Sequence, residues 1–133
     1  MVKRTLVEKD YIDGECLITY LDKENIKVHS AFWLYNDEIN YWQLMLSTKL
    51  VDEAGTKEVY TVIKNALDRM AEKTKIKLSV TLQDISVISP SHPLVLSLGR
   101  ELHTGPEAID HIRYSKNTAN NIYIEDAYIY RIQ

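Results

Sequence analysis

The residues of this chain that can do chemistry are scattered carboxylates, hydroxyls and imidazoles, and Asp126 is the most pointed of them. The segment from Asn121 to Gln133 reads NIYIEDAYIYRIQ, and its even positions are Ile122, Ile124, Asp126, Tyr128, Tyr130 and Ile132. A strand sends every second side chain to one face. Asp126 then stands in the middle of an apolar face, where an unpaired carboxylate is costly. It requires a hydrogen-bonding partner, a bulge that turns it outward, or a ligand. The expected role is structural, with the carboxylate held by a tyrosine hydroxyl, an arginine or backbone amides.

Three further groups have the right chemistry without a diagnostic spacing. Asp52 and Glu53 lie in the loop Leu50-Val51-Asp52-Glu53-Ala54-Gly55 ahead of a helix. Acidic residues favour a helix N-terminus. With Asp126 they could instead bind a hard cation such as Mg²⁺, which takes oxygen ligands. Ser89-Pro90-Ser91-His92-Pro93 opens another helix, and free N–H groups there can hold an anion. His111, Arg113, Glu125 and Arg131 all fall on odd positions of the last two strands. If those faces coincide, they form one charged surface for a partner or an anionic ligand.

Other chemistries find no support. The four histidines (His29, His92, His103 and His111) show no metal-ligand spacing, and one cysteine builds no zinc site. Cys16 sits on a helix among apolar residues and reads as inert packing. There is no Gly-rich loop with a Walker lysine and no Gly-x-Ser-x-Gly turn. No cofactor is indicated.

The elements that must position these groups follow from periodicity. Residues 5–24 form a first helix with Leu6, Val7, Tyr11, Leu17, Ile18 and Leu21 on its apolar side. Gly14 weakens that helix, and close packing is the expected reason for a glycine there. Ile26 to Tyr35 and Ile39 to Thr48 flank the turn Asn36-Asp37-Glu38 as a hairpin. Thr56 caps the strongest helix, and Val62, Ile63, Leu67 and Met70 are expected to be buried. Ile76, Leu78, Val80 and Leu82 alternate as a strand that resumes at Ile85 to Ile88. Ser91 caps a third helix with Pro93 in its first turn, and Gly105-Pro106 ends it. Ile109 to Ser115 and the final strand flank Lys116 to Asn120 as a second hairpin. The order is α-β-β-α-β-α-β-β. The expected fold is a single α+β domain over 1–133, a mostly antiparallel sheet of about five strands with three helices packed on it.

Composition bounds the function. Hydrophobic residues make up 45% and charged residues 26%, ordinary for a globular protein. A net charge of −3 argues against general nucleic-acid binding. The lone cysteine allows no internal disulfide and fits a reducing compartment. No stretch has the apolar length of a membrane span or a signal peptide. The chain is therefore expected to be cytoplasmic.

Ala31-Phe32-Trp33-Leu34-Tyr35, the Leu50-Val51-Asp52-Glu53 entry to a helix and the closing Ile124-Glu125-Asp126-Ala127-Tyr128-Ile129-Tyr130-Arg131 resemble a group of small uncharacterised bacterial proteins. The resemblance covers most of the chain. It implies a stand-alone small bacterial protein and assigns no catalytic residue.

The leading expectation is a non-enzymatic interaction or assembly protein, a homodimer joined through a hairpin edge or its aromatic face. Trp33, Tyr35, His111, Arg113, Glu125 and Arg131 are the candidate binding residues, because aromatics and arginines anchor interfaces. One alternative is a metal-dependent phosphoester hydrolase using Asp52, Glu53 and Asp126. The other is a small anionic-ligand binding module at the Ser89–His92 helix start.

Overall fold

Apolar periodicity of 3.6 and of 2 alternates along this chain, and helices and strands follow it in the computed structural model, which describes residues 3–105 and 107–133. The elements are α1 (Glu8–Lys23), β1 (Ser30–Asn36), β2 (Tyr41–Ser47), α2 (Leu50–Ala54), α3 (Thr56–Thr74), β3 (Ile85–Ile88), α4 (Pro93–Glu101), β4 (Ile112–Ala119) and β5 (Ile122–Ile132). The fold is α+β. The sheet order is β3-β2-β1-β5-β4. All neighbours are antiparallel except β2 and β3, which run parallel. Among the described residues no helix is long and apolar enough to cross a membrane.

Both faces of the sheet are covered. On one side α1 and α3 enclose Trp33, Leu44, Leu46, Ile85, Val87 and Tyr130. On the other, Leu94, Val95 and Leu98 of α4 cover Phe32, Met45, Ile124, Ala127, Ile129 and Ile132. The stripe of α3 buries Val59, Ile63, Ala66, Leu67 and Met70, whereas Val62 is only half-buried at its margin.

Several local expectations are revised. The five-residue helix α2 replaces the loop expected around Asp52 and Glu53. Gly55 rather than Thr56 occupies the cap position of α3, and His92 rather than Ser91 caps α4. The alternating run Ile76 to Leu82 is not a strand, because polar side chains capture its backbone. The Asp13 carboxylate accepts the Ser79 N–H and hydroxyl at 2.8 and 3.0 Å. Asp84 accepts the Thr81 N–H at 2.8 Å and closes a 3₁₀ turn over Leu82–Asp84. Strand pairing begins only at Ile85. The third helix stops at Glu101, and Gly105 lies beyond it; Pro106 is outside the described residues.

β5 departs most from simple alternation. Ala31 pairs with Arg131 but Phe32 pairs with Ile129, so Tyr130 is the extra residue of a bulge. Tyr130 and Arg131 consequently both engage the α1 side. Trp33 Nε1 donates to the Tyr130 hydroxyl at 3.0 Å, and that hydroxyl donates to the Tyr11 carbonyl in α1 at 2.7 Å. Arg131, 1% exposed, donates to both oxygens of Asp22 at 3.0 and 2.8 Å, and to the Val28 and Ala108 carbonyls at 3.2 and 2.9 Å.

The bulge explains Gly14. A Cβ at Gly14 would stand 2.6 Å from the Tyr130 hydroxyl and 3.2 Å from Trp33 Nε1. The glycine lets α1 approach the sheet at the point where Tyr130 is pinned by two hydrogen bonds. Helix propensity alone favours alanine there by about 1 kcal/mol. We predict the opposite sign: Gly14→Ala destabilises by about 1–3 kcal/mol through overpacking. Urea unfolding measures it, and a gain in stability would contradict the packing assigned here.

Candidate functional site

The six candidate binding residues separate into three places. Trp33 and Arg131 are core residues, fully buried, and cannot present themselves to a partner. Trp33 is enclosed because β1 is the central strand, flanked by β2 and β5. The first hairpin therefore has no free edge: β2 also has β3 on its outer side. Tyr35 and Glu125 border a cleft at the start of α4. His111 and Arg113 lie beside α1 and Trp42, on the side of the sheet to which the Tyr35 ring also packs. The odd positions do not share one face.

The reason lies in two interruptions of alternation. One is the bulge at Tyr130. The other is at Lys116, whose φ of +47° falls between the Ser115–Asp126 and Asn117–Ile124 pairs of the last hairpin. Ile122, Ile124 and Ile132 pack with α4, whereas Tyr128 and Tyr130 pack with α1. The even positions of β5 are thus shared between both cores.

Asp126 is half-buried and satisfied by an arginine. Its Oδ1 and Oδ2 accept from Arg113 Nε and Nη2 at 2.6 and 2.5 Å. This bidentate geometry is the strong form of the pair. The hydrogen bond to Asp126 raises the Arg113 pKa, against partial desolvation. The same guanidinium lies 6.0 Å from the Trp42 ring centroid.

Next to this pair stands a chain of acid–base groups that sequence reading did not anticipate. His111 Nε2 is 3.1 Å from Glu15 Oε1, and His111 Nδ1 is 2.6 Å from the Tyr128 hydroxyl. A carboxylate, an imidazole and a phenol are brought together from α1, the residue before β4, and β5. With the proton on Nε2, the neutral imidazole donates to Glu15 and accepts from Tyr128. Tyr11 packs on Tyr128 with ring centroids 4.1 Å apart, and Tyr130 lies edge-on at 5.4 Å. Desolvation, followed by the negative fields of Tyr11 and Glu15, raises the Tyr128 pKa, while Arg113 opposes them. The phenol therefore remains protonated at neutral pH. Glu15 and His111 are 96 positions apart, so no spacing could have joined them.

This order of groups can orient and move a proton. The face is open rather than enclosed: the His111 and Glu15 side chains are 56% and 41% exposed. Neither the cleft bordered by Lys3 and Asp84 nor the cleft at the start of α4 includes them.

The carboxylates proposed as metal ligands are not assembled. Asp52 is on α2, just past the Ser47 end of β2, and accepts from the Ser89 hydroxyl at 3.1 Å. Asp126 adjoins Ala127, which pairs with Leu34 toward the other end of β1. Among the described residues no group of three or more His, Cys, Asp or Glu side chains is placed to hold a metal. At the Ser89–His92 helix start, His92 Nδ1 already accepts the Leu94 N–H at 3.1 Å. The Asp52 carboxylate beside Ser89 also opposes an anion there.

Cys16 is exposed on α1 rather than packed. Partial desolvation, then the Asp13 and Glu15 charges, raise its pKa, which keeps it a thiol.

No protein-family model matches this chain, and comparison with curated proteins and with solved structures gives no match.

We predict that Asp126→Ala costs about 0.5–1 kcal/mol, since the freed Arg113 is exposed enough to rehydrate. Urea unfolding tests this, and a loss of several kcal/mol would contradict it. Calorimetric titration of Mg²⁺ should give no binding heat for either protein.

Proposed function

We propose that this chain is a cytoplasmic interaction or assembly protein that docks through the Tyr11–Glu15–His111–Arg113–Tyr128 face and the adjoining outer edge of β4. A second copy of the chain is the first partner to test. The observation that carries the reading is the clustering of Tyr11, His111, Arg113 and Tyr128 on an accessible face. Tyrosine and arginine are the residue types that dominate interface energetics. Their hydrogen bonds and ring contacts fix them before any partner arrives, which lowers the entropy lost on binding.

The two sheet edges favour the same location. The outer edge of β3 is occupied by a side chain: the Tyr60 hydroxyl accepts the Val87 N–H at 3.0 Å and reaches the Ile85 carbonyl at 3.5 Å. β4, twice as long, has a strand neighbour only on its β5 side among the described residues. An unpaired edge is a template for another polypeptide. Lys116 interrupts it, which leaves Ile112 to Ser115, next to His111, as the pairable stretch. Ile12 adds an exposed apolar side chain on α1. The lone cysteine fits the cytoplasmic part of the reading.

Light scattering should give twice the monomer mass of 15.4 kDa at high micromolar concentration. His111→Ala combined with Arg113→Ala should return the protein to monomer with its circular dichroism unchanged. A wild-type protein that stays monomeric would overturn self-association. A double variant that stays dimeric would overturn this docking face.

A further inference from the structure

The cleft at the start of α4 has a character of its own. It has a volume of about 290 Å³ and opens between the first turn of α4, the β1 end of the first hairpin and the start of β5. Ligand cavities start at about this size, so it suits a small molecule. Its apolar lining is Leu34, Leu94, Ile122 and Ile124, contributed by β1, α4 and β5. These residues belong to the core beneath α4, so the cleft is an opening into an existing packed layer rather than a surface dimple.

The carboxylate side chains of the lining stand beside Asn36 and the α4 cap residue His92. They belong to Asp37 and Glu125, and no lysine or arginine is among the lining residues. Their fields converge on Tyr123. The Tyr123 hydroxyl donates to Glu125 Oε2 at 2.9 Å. That hydrogen bond, then desolvation and the charges of Glu125 and Asp37, raise the Tyr123 pKa. Glu125 is thereby held in place by a neighbour that does not neutralise it. His92 spends its Nδ1 lone pair capping α4. An apolar lining beneath a negative rim is complementary to an apolar body carrying a positive charge, and it opposes the anion expected at this helix start.

We propose that this cleft binds a small organic ammonium ion, its apolar body against Leu34, Leu94 and Ile124 and its charge at the Asp37–Glu125 rim. The ring of Tyr123, which borders the cleft, adds an aromatic surface to that rim. The site shares none of its lining residues with the docking face.

Phenethylamine is the probe, with 2-phenylethanol as its neutral counterpart, both titrated into ¹⁵N-labelled protein and followed by amide shifts. The amine should saturate with shifts at Leu34, Leu94 and Ile124, and should bind more tightly than the alcohol by about fivefold or more. Asp37→Asn with Glu125→Gln should abolish that preference while leaving the melting temperature and the weak binding of the alcohol unchanged. Raising salt should weaken the amine alone. Equal affinity for amine and alcohol, an amine preference that survives the double variant, or no saturable shift would each overturn the proposal. Leu94→Trp fills the cleft without touching either carboxylate, so binding that persists in this variant would also overturn it.

Discussion

The fold depends on a single extra residue in β5. Because the bulge inserts Tyr130 between Ile129 and Arg131, two consecutive side chains engage α1 instead of one. Tyr130 joins Trp33 of the central strand to the Tyr11 carbonyl. Arg131 carries a buried charge to Asp22, one residue from the end of α1, and to the Val28 carbonyl beyond it. The helix is thereby held near both ends. A buried ion pair is weak evidence of net stability, because desolvation offsets much of the attraction. Its geometry is nonetheless restrictive: a guanidinium with four placed acceptors fits one position of α1 and few others. That placement also sets Glu15 opposite His111 and Tyr11 against Tyr128, so the accessible face is a consequence of how α1 is docked.

Polar groups do similar work on the opposite flank of α1. Lys3 lies 3.0 Å from Asp10 and 3.7 Å from Asp84, and donates to the Ser79 carbonyl at 2.6 Å. Asp13 accepts from Lys9 and from Ser79. Burial alone would raise the Asp13 pKa, but these donors together lower it. Its depressed folded-state pKa means that it adds stability above its unfolded value, a contribution lost as pH falls through the folded value. The segment before β3 is therefore anchored by charge and hydrogen bonds rather than by strand pairing.

How much of this was legible depends on what kind of information each feature carries. The α+β class, the order of elements and the stripe of α3 follow from periodicity, which is local. Gly14 was readable as a close-packing glycine, although not what it packs against. The faces of β5 were misread because period-two reasoning assumes an uninterrupted strand, and this strand changes face at Lys116's partner positions and again at Tyr130. Ile76 to Leu82 alternates like a strand, but Asp13, 66 positions before Ser79, decides its conformation. α2 has five residues and no buried side chain, so it left no apolar signature. The Glu15–His111–Tyr128 chain joins three distant positions that no motif links. Arg131 looked like one of several odd-position charges, and only the bulge distinguishes it as a core residue.

The docking of α1 by buried Arg131 is tested most directly by Asp22→Ala, measured as the change in unfolding free energy in urea. The substitution leaves the guanidinium, 1% exposed, with only two carbonyl acceptors. A loss of about 3–5 kcal/mol is predicted, the scale of an uncompensated buried charge. A loss below about 0.5 kcal/mol, the range of an ordinary surface change, would contradict the account.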